Sequence, residues 1–189
     1  MIIPSFAERL DNFLARYLAY FNYRDYIERI DLQGDENVLE LGSGGGNLSR
    51  FIARKIPKGN LYCVDISQYW TKRAKRRLRK FRNITCLEKS IEMLSIENGC
   101  LDVAIIHYVL HDISKKQRGK IIKIISNKLR KNGRIHVREP TRKSHGISPK
   151  EIRELMLSEG FLEQASEEGY SFPLRGKVYK GIFEKRLLS

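Results

Sequence analysis

Residues 38–48, Val-Leu-Glu-Leu-Gly-Ser-Gly-Gly-Gly-Asn-Leu, read as a short buried strand, a glycine-rich turn and the opening of a helix. Without a Cβ, glycine adopts positive φ and lets another molecule press against the backbone. The turn also aims the first free N–H groups of the helix at whatever lies above the strand end. A dinucleotide fingerprint, Gly-x-Gly-x-x-Gly, does not fit. Counted from Gly42 its third glycine falls on Asn47, and counted from Gly44 it falls on Ser49. The pattern present is Glu-x-Gly-x-Gly-x-Gly, filled by Glu40, Gly42, Gly44 and Gly46.

The downstream sequence repeats the strand-then-helix rhythm. Asn60 to Ser67 reads as a second strand ending in Asp65, and Ile84 to Leu87 as a third. A fourth opens at Asp102 and runs through the apolar stretch that ends before His107, and a fifth lies within Leu129 to Val137 after a turn at Gly133. Helical segments follow at about 48–56, 69–81 and 114–129, the last with Ser114 as N-cap and Ile121, Ile122, Ile124, Ile125 and Leu129 at helical spacing. Ser148-Pro149-Lys150-Glu151 opens another helix, which Gly160 ends. Two strands follow, near 161–166 and 178–185. Strands alternating with helices imply a parallel sheet covered on both faces. An acid roughly 20 residues past the glycine turn, at the tip of strand two, is placed to accept hydrogen bonds from both hydroxyls of a ribose. That acid is Asp65.

From about Val38 to Pro140, these motifs in this order resemble the class I S-adenosylmethionine-dependent methyltransferases, in particular the ubiquinone-biosynthesis-like, type 11 group. The resemblance implies an α/β, doubly wound, Rossmann-like fold: a seven-stranded, mostly parallel sheet with an antiparallel last strand and helices on both faces. It implies S-adenosyl-L-methionine as cofactor, gripped by Glu40, Gly42, Ser43, Gly44, Gly46, Asp65 and Ile66, with His107 beneath the methionine part. Aligning Leu94-Ser95-Ile96 with the family's usual Leu-Pro-Phe puts Ser90 where relatives often carry an adenine-binding acid. A serine oxygen accepts more weakly than a carboxylate, and the backbone N–H of Ile91 is the other candidate. Glu139-Pro140 closes strand five as in many relatives.

With 189 residues the chain suits one domain: a helical lid over 1–35 and the main domain over 36–189. No apolar run approaches a membrane span, and the first residues lack the pattern of a secretion signal. Cys63, Cys86 and Cys100 form no Cys-x-x-Cys pair, so neither a disulfide nor a metal framework is expected. The expected location is the cytoplasm.

The lid segment carries Phe6, Phe13, Tyr17, Tyr20, Phe21, Tyr23 and Tyr26. Its tyrosines either wall a small pocket or dock the helix on the sheet. Tyr23, after the polar break at Asn22, is the best candidate at the site. His111, just past strand four, is the candidate base, and lining the pocket or capping the next helix is its plainer role. His107 packs at the cofactor, His136 reads as a core residue, and His145 lies in a loop over the same edge. An Asp/Asn-Pro-Pro-aromatic motif for base-amino methylation is replaced by His107-Tyr108-Val109-Leu110. Cys100 precedes strand four, where no C5-attacking thiolate belongs.

The formal charge is +14. Helix residues 72–82 concentrate it, either as a phosphate-binding stripe or as a solvated face buried only through Trp70, Ala74, Leu78 and Phe81. A basic charge also attracts an anionic small substrate. The leading expectation is a small-molecule methyl acceptor, possible anionic character included. The alternative is an RNA- or protein-directed methyltransferase, or a nucleic-acid binder, using the basic helix.

Overall fold

The computed structural model describes residues 20–142, 145–171 and 176–186. Phe6, Phe13 and Tyr17 of the expected lid lie outside them. The first described element is a helix over residues 20–28 (α1). Then follow β1 (Asn37–Leu41), α2 (Ser49–Lys55), β2 (Asn60–Asp65), α3 (Gln68–Leu78), β3 (Ile84–Glu88), β4 (Leu101–His107), α4 (Lys115–Lys128), β5 (Leu129–Pro140), α5 (Pro149–Ser158), β6 (Phe161–Ser171) and β7 (Gly176–Lys185). Short 3₁₀ turns at Ile91–Met93 and Leu110–Asp112 complete the order.

The seven strands form one sheet in the order β3-β2-β1-β4-β5-β7-β6. Neighbours among β1 to β5 are parallel, and β7 alone runs antiparallel to both of its neighbours. This is the doubly wound arrangement expected from the sequence, with the order reversing between β1 and β4, where open α/β sheets bind ligands.

Side-chain alternation sends each strand's residues to two cores. Val38, Leu61, Cys63, Val103 and Ile105 pack on one face with Tyr26, Ile27 and Ile30 near α1, Phe51 and Ile52 of α2, and Ala74 and Leu78 of α3. Leu39, Val64, Ala104, Ile106, Ile135 and Val137 pack on the other with Ile122 and Ile125 of α4 and Ile152 and Met156 of α5. Each fully buried Val, Leu, Ile, Phe or Met among them contributes roughly 1.5–3 kcal/mol. Among the described residues no helix is long and apolar enough to cross a membrane.

Three details differ from the sequence reading. β6 continues to Ser171, because backbone pairing with β7 carries it past the point where its apolar pattern ends. β5 pairs Leu129 with Leu101, shifts register, and resumes at Arg134 opposite Val103, with Asn132 at φ 59° in the irregular stretch. In α3 the buried stripe is Thr71, Ala74 and Leu78, whereas Trp70 is 42% exposed. At about 100° per residue Trp70 borders this stripe, about 40° from Ala74 and about 100° from Thr71, on the side that faces solvent.

One carboxyl lies inside the core. Glu40 on β1 accepts from Ser49 Oγ of α2 at 2.5 Å, and Cys63 Sγ of β2 stands 3.7 Å from the same oxygen. Loss of solvation pushes its pKa from 4.5 up to about 8, against the opposing hydrogen bonds. A carboxyl whose folded pKa is raised stabilises the fold fully below its unfolded pKa, and that contribution disappears as pH rises toward and through 8. Glu40→Gln removes this dependence. In denaturant titrations of ligand-free protein, wild type should lose on the order of 3 kcal/mol more than the variant between about pH 5 and pH 8. Parallel pH profiles for the two proteins would contradict the assignment.

Candidate active site

The glycine turn leaves β1 through three residues with positive φ: Gly42 at 65°, Gly44 at 52° and Gly46 at 75°. A Cβ on Gly42 would stand 2.4 Å from Val109 Cγ2, so this turn can pass beneath the β4 tip only as glycine. A Cβ on Gly44 would meet nothing within 4 Å, so the backbone there faces open space at the switch point of the sheet. Gly42 N and Ser43 N both donate to Val64 O, at 2.7 and 3.1 Å.

Asp65, at the tip of β2, reaches back to this turn. Its Oδ2 accepts from Gly44 N at 2.8 Å, and its Oδ1 accepts from Ser67 N at 2.8 Å. Each oxygen keeps further acceptor capacity, so the half-buried carboxylate is held in one orientation and can still receive hydroxyl groups. Ile66 beside it is 81% exposed, and Met93, beyond β3, is 66% exposed. Ser90 is the extended residue opening the turn at Ile91–Met93, where Ile91 is buried. Asp65, Ile66, Ser90 and Ile91 therefore share the carboxyl edge of adjacent strands, as the sequence placed them. Glu40 lies beneath the turn, buttressing it through Ser49.

Two residues assigned only to the basic helix help hold the turn. Arg77 Nη1 donates to Gly45 O and to Asn47 Oδ1, each at 2.5 Å. Trp70 is close enough to Gly45 that a Cβ there would lie 3.4 Å from its ring. Only the packing of α3 on β2 and β3 reveals these contacts; a run of basic residues carries no signal for them.

At the next tip, β4 ends at His107 and the chain enters Tyr108 at φ 58°. A bulky residue in the left-handed region stores roughly 1–3 kcal/mol of strain. Surrounding bonds over-determine it. Tyr108 N donates to Arg138 O at 2.8 Å. Glu139, fully buried at the end of β5, accepts from Val109 N at 2.7 Å, from Leu110 N at 2.8 Å and from His111 N at 3.4 Å. Its Oε2 also lies 2.6 Å from His111 Nδ1. Arg118 of α4 fastens the same loop through Leu110 O, Ile113 O and Glu151. The sequence reading gave Glu139 no site role, although a charged residue at the end of an apolar strand was a usable signal.

With Nδ1 held against Glu139, Nε2 is the ring nitrogen of His111 left to exchange a proton. That atom lies 3.5 Å from Asp112 Oδ1, and His145 Nε2 lies 3.6 Å from the same oxygen. The three potential ligand atoms fall within 4.8 Å of one another, a grouping not expected from the sequence. Asp112 and His145 are both exposed, and one carboxylate shared by two imidazoles is a sufficient account of it.

The described part of the expected lid packs against these tips. Tyr23 and Tyr26 each set their rings 5.3 Å from the His107 ring. Tyr26 is buried and docks the helix, whereas Tyr23 remains partly exposed at the mouth. His136 is buried within β5, as read from the sequence. Burial first, then Arg134 and Lys55, lowers its pKa to about 3, so it stays neutral.

A model of the methyltransferase-domain family matches residues 38–133, slightly more than half of the chain. YrhH of Bacillus subtilis (strain 168), named as a candidate methyltransferase, is 35% identical over 54 residues, which make up 29% of this chain and 30% of that protein. The chain therefore aligns with under a third of that relative's length. A Methanosarcina mazei structure described as a SAM-dependent methyltransferase superposes with a TM-score of 0.74 at 17% identity, covering 89% of this chain and 97% of the other. Magnesium protoporphyrin IX methyltransferase from Synechocystis PCC 6803, with bound SAH, gives 0.74 at 13% identity, covering 98% and 89%. At these identities the structural likenesses speak for the fold, and the family model speaks for descent. The chain belongs to the class I S-adenosylmethionine-dependent methyltransferase family.

Proposed function

We propose that the protein transfers a methyl group to a small-molecule acceptor in the cytoplasm, with His111 as the base and the 42–46 turn as the cofactor cradle. When bound, S-adenosylmethionine supplies a methyl group already made electrophilic by its sulfonium. The chain's own residues then have three tasks: to hold the donor, to align the acceptor and to remove a proton where the nucleophile carries one. Holding two reactants close and collinear can supply roughly 7–11 kcal/mol of the barrier.

Gly44 faces open space, so its backbone can approach the cofactor. Asp65 is oriented to accept the ribose hydroxyls. Ile66 and Met93 offer apolar surface for the adenine, with Ser90 and the Ile91 N–H as its polar contacts. His107 and Tyr23 line the methyl-transfer mouth. The observation that carries the catalytic reading is the Glu139–His111 contact of 2.6 Å. A buried carboxylate fixes the imidazole's tautomer and direction, as a base that moves protons requires.

Small-molecule specificity is favoured because Pro140 to Ser148 leaves no room for an inserted substrate domain, and α1 covers the face behind the mouth. One observation favours the macromolecular alternative. Arg73 lies 5.5 and 5.8 Å from the exposed rings of Tyr69 and Trp70, beside Arg76, Arg79 and Lys80. That surface flanks β2 and β3, away from the β4 tip, and Arg77 is already engaged with the turn. Salt-dependent gel shifts with mixed RNA, repeated with Arg76→Glu, separate the two readings. The small-molecule reading expects no RNA shift at about 0.15 M salt.

Asp65→Ala should weaken S-adenosylhomocysteine binding by about ten- to a hundredfold in calorimetry, the usual worth of hydrogen bonds to a charged group. Unchanged affinity would remove Asp65 from the ribose site. His111→Ala should lower kcat by about a hundredfold or more while leaving S-adenosylhomocysteine affinity near wild type, and Glu139→Gln should alter the pH–rate profile. Wild-type turnover in His111→Ala would leave His111 as a lining residue.

A further inference from the structure

Arg138 is a positive charge buried in the protein interior, and no described residue forms an ion pair with it. The residue is 3% exposed on β5. Its Nη2 donates to Ser171 Oγ at 3.2 Å, an oxygen that also accepts from Asn22 Nδ2 at 2.9 Å. Its Nε is buried without a hydrogen-bond partner, and it forms no ion pair among the described residues. The guanidinium carbon instead lies 5.1 Å from the centre of the Tyr26 ring and 5.6 Å from that of Tyr108. Aromatic faces offset only part of the cost of removing a guanidinium from water. Buried charges are otherwise paired.

Three surrounding features suggest that the missing counter-charge belongs to a ligand. The Tyr26 hydroxyl is also buried with no hydrogen-bond partner among the described residues, and burial raises its pKa, so it remains a protonated donor. Lys180, opposite Arg138 in the β5–β7 register, contributes a second positive charge, which Glu167 meets at 3.3 Å. Tyr108, whose ring lies beside Arg138, holds the strained φ of 58°, and such strain concentrates at functional sites.

The position within the sheet suits an acceptor. β4 separates β5 from the β1 turn, so Arg138 stands one strand beyond the β4 tip, on the far side from the cofactor cradle. His107 opposes Arg138 in the β4–β5 register. Tyr23, His107 and Tyr108 are partly exposed at the carboxyl edge, whereas Tyr26 and Arg138 are buried behind them. An anionic group would therefore enter first, and a flat apolar body would rest on the rings at the mouth.

We infer that Arg138, with Tyr26 and Tyr108 around it, is the receptor for a carboxylate on a planar acceptor molecule; the inference rests on methyl transfer at this edge. A carboxylate fits better than a phosphate. The guanidinium fork matches two coplanar oxygens.

The test uses the full chain saturated with S-adenosylhomocysteine, and benzoate and benzamide as probes of nearly equal shape. Calorimetry should show benzoate binding about ten- to a hundredfold tighter than benzamide. Arg138→Met should abolish that preference while leaving S-adenosylhomocysteine affinity near wild type, and Arg138→Lys should restore part of it. Equal binding of the two probes by wild type, or a preference that survives Arg138→Met, overturns the carboxylate receptor. The wild-type comparison decides the matter even where the variants fold poorly. Failure of wild type to bind S-adenosylhomocysteine would instead refute the cofactor reading, so the two failures are distinguishable.

Discussion

The bond from Gly44 N to Asp65 Oδ2 joins the tips of β1 and β2, and the geometry of the candidate site follows from it. A turn with three positive-φ glycines has little side-chain packing of its own to hold it. The carboxylate of the neighbouring strand fixes one of its N–H groups, Val64 O accepts two more, and Arg77 takes carbonyl and side-chain oxygens at Gly45 and Asn47. The turn is thus held from the strand behind it and from α3, leaving the backbone at Gly44 open. Backbone approach and rigidity are both needed where a ligand is to be gripped without rearrangement.

A second carboxylate organises the other half of the edge in the same manner. Glu139 gathers the N–H groups that follow the strained Tyr108 and orients His111. In the proposed function the two acids divide the work, Asp65 on the cofactor side and Glu139 on the side of the proton and the acceptor. Parallel strands make this division possible, because every βα connection leaves its functional side chains at the same sheet edge. The buried positive charge of Arg138 lies behind the second half, next to Glu139 on β5.

Much of this was legible in the sequence. The glycine spacing excluded a dinucleotide fingerprint, the interval to Asp65 singled it out as the candidate ribose acid, and the alternation of strands and helices specified a parallel sheet covered on both faces. These are local or periodic signals, and one sequence suffices to carry them. The contributions of Glu139, Arg138 and Arg77 were not legible, because each depends on a partner some 30 residues away, brought close only by the sheet order or by helix packing. Trp70 was read as buried because it falls near one helical face with Ala74, Leu78 and Phe81, yet the buried stripe runs through Thr71, Ala74 and Leu78 and leaves Trp70 exposed beside the glycine turn. β6 was read short because its outer residues include Glu167 and Glu168, where hydrogen bonding to β7 replaces any apolar pattern.

Co-crystallisation with S-adenosylhomocysteine tests the central claim most directly. The account expects the ribose hydroxyls on Asp65, the backbone of the 42–46 turn against the ligand, and the adenine directed toward Ser90 and Ile91. A complex in which the crevice between Gly44 and Asp65 stays empty, with the ligand absent or bound elsewhere on the molecule, would contradict it.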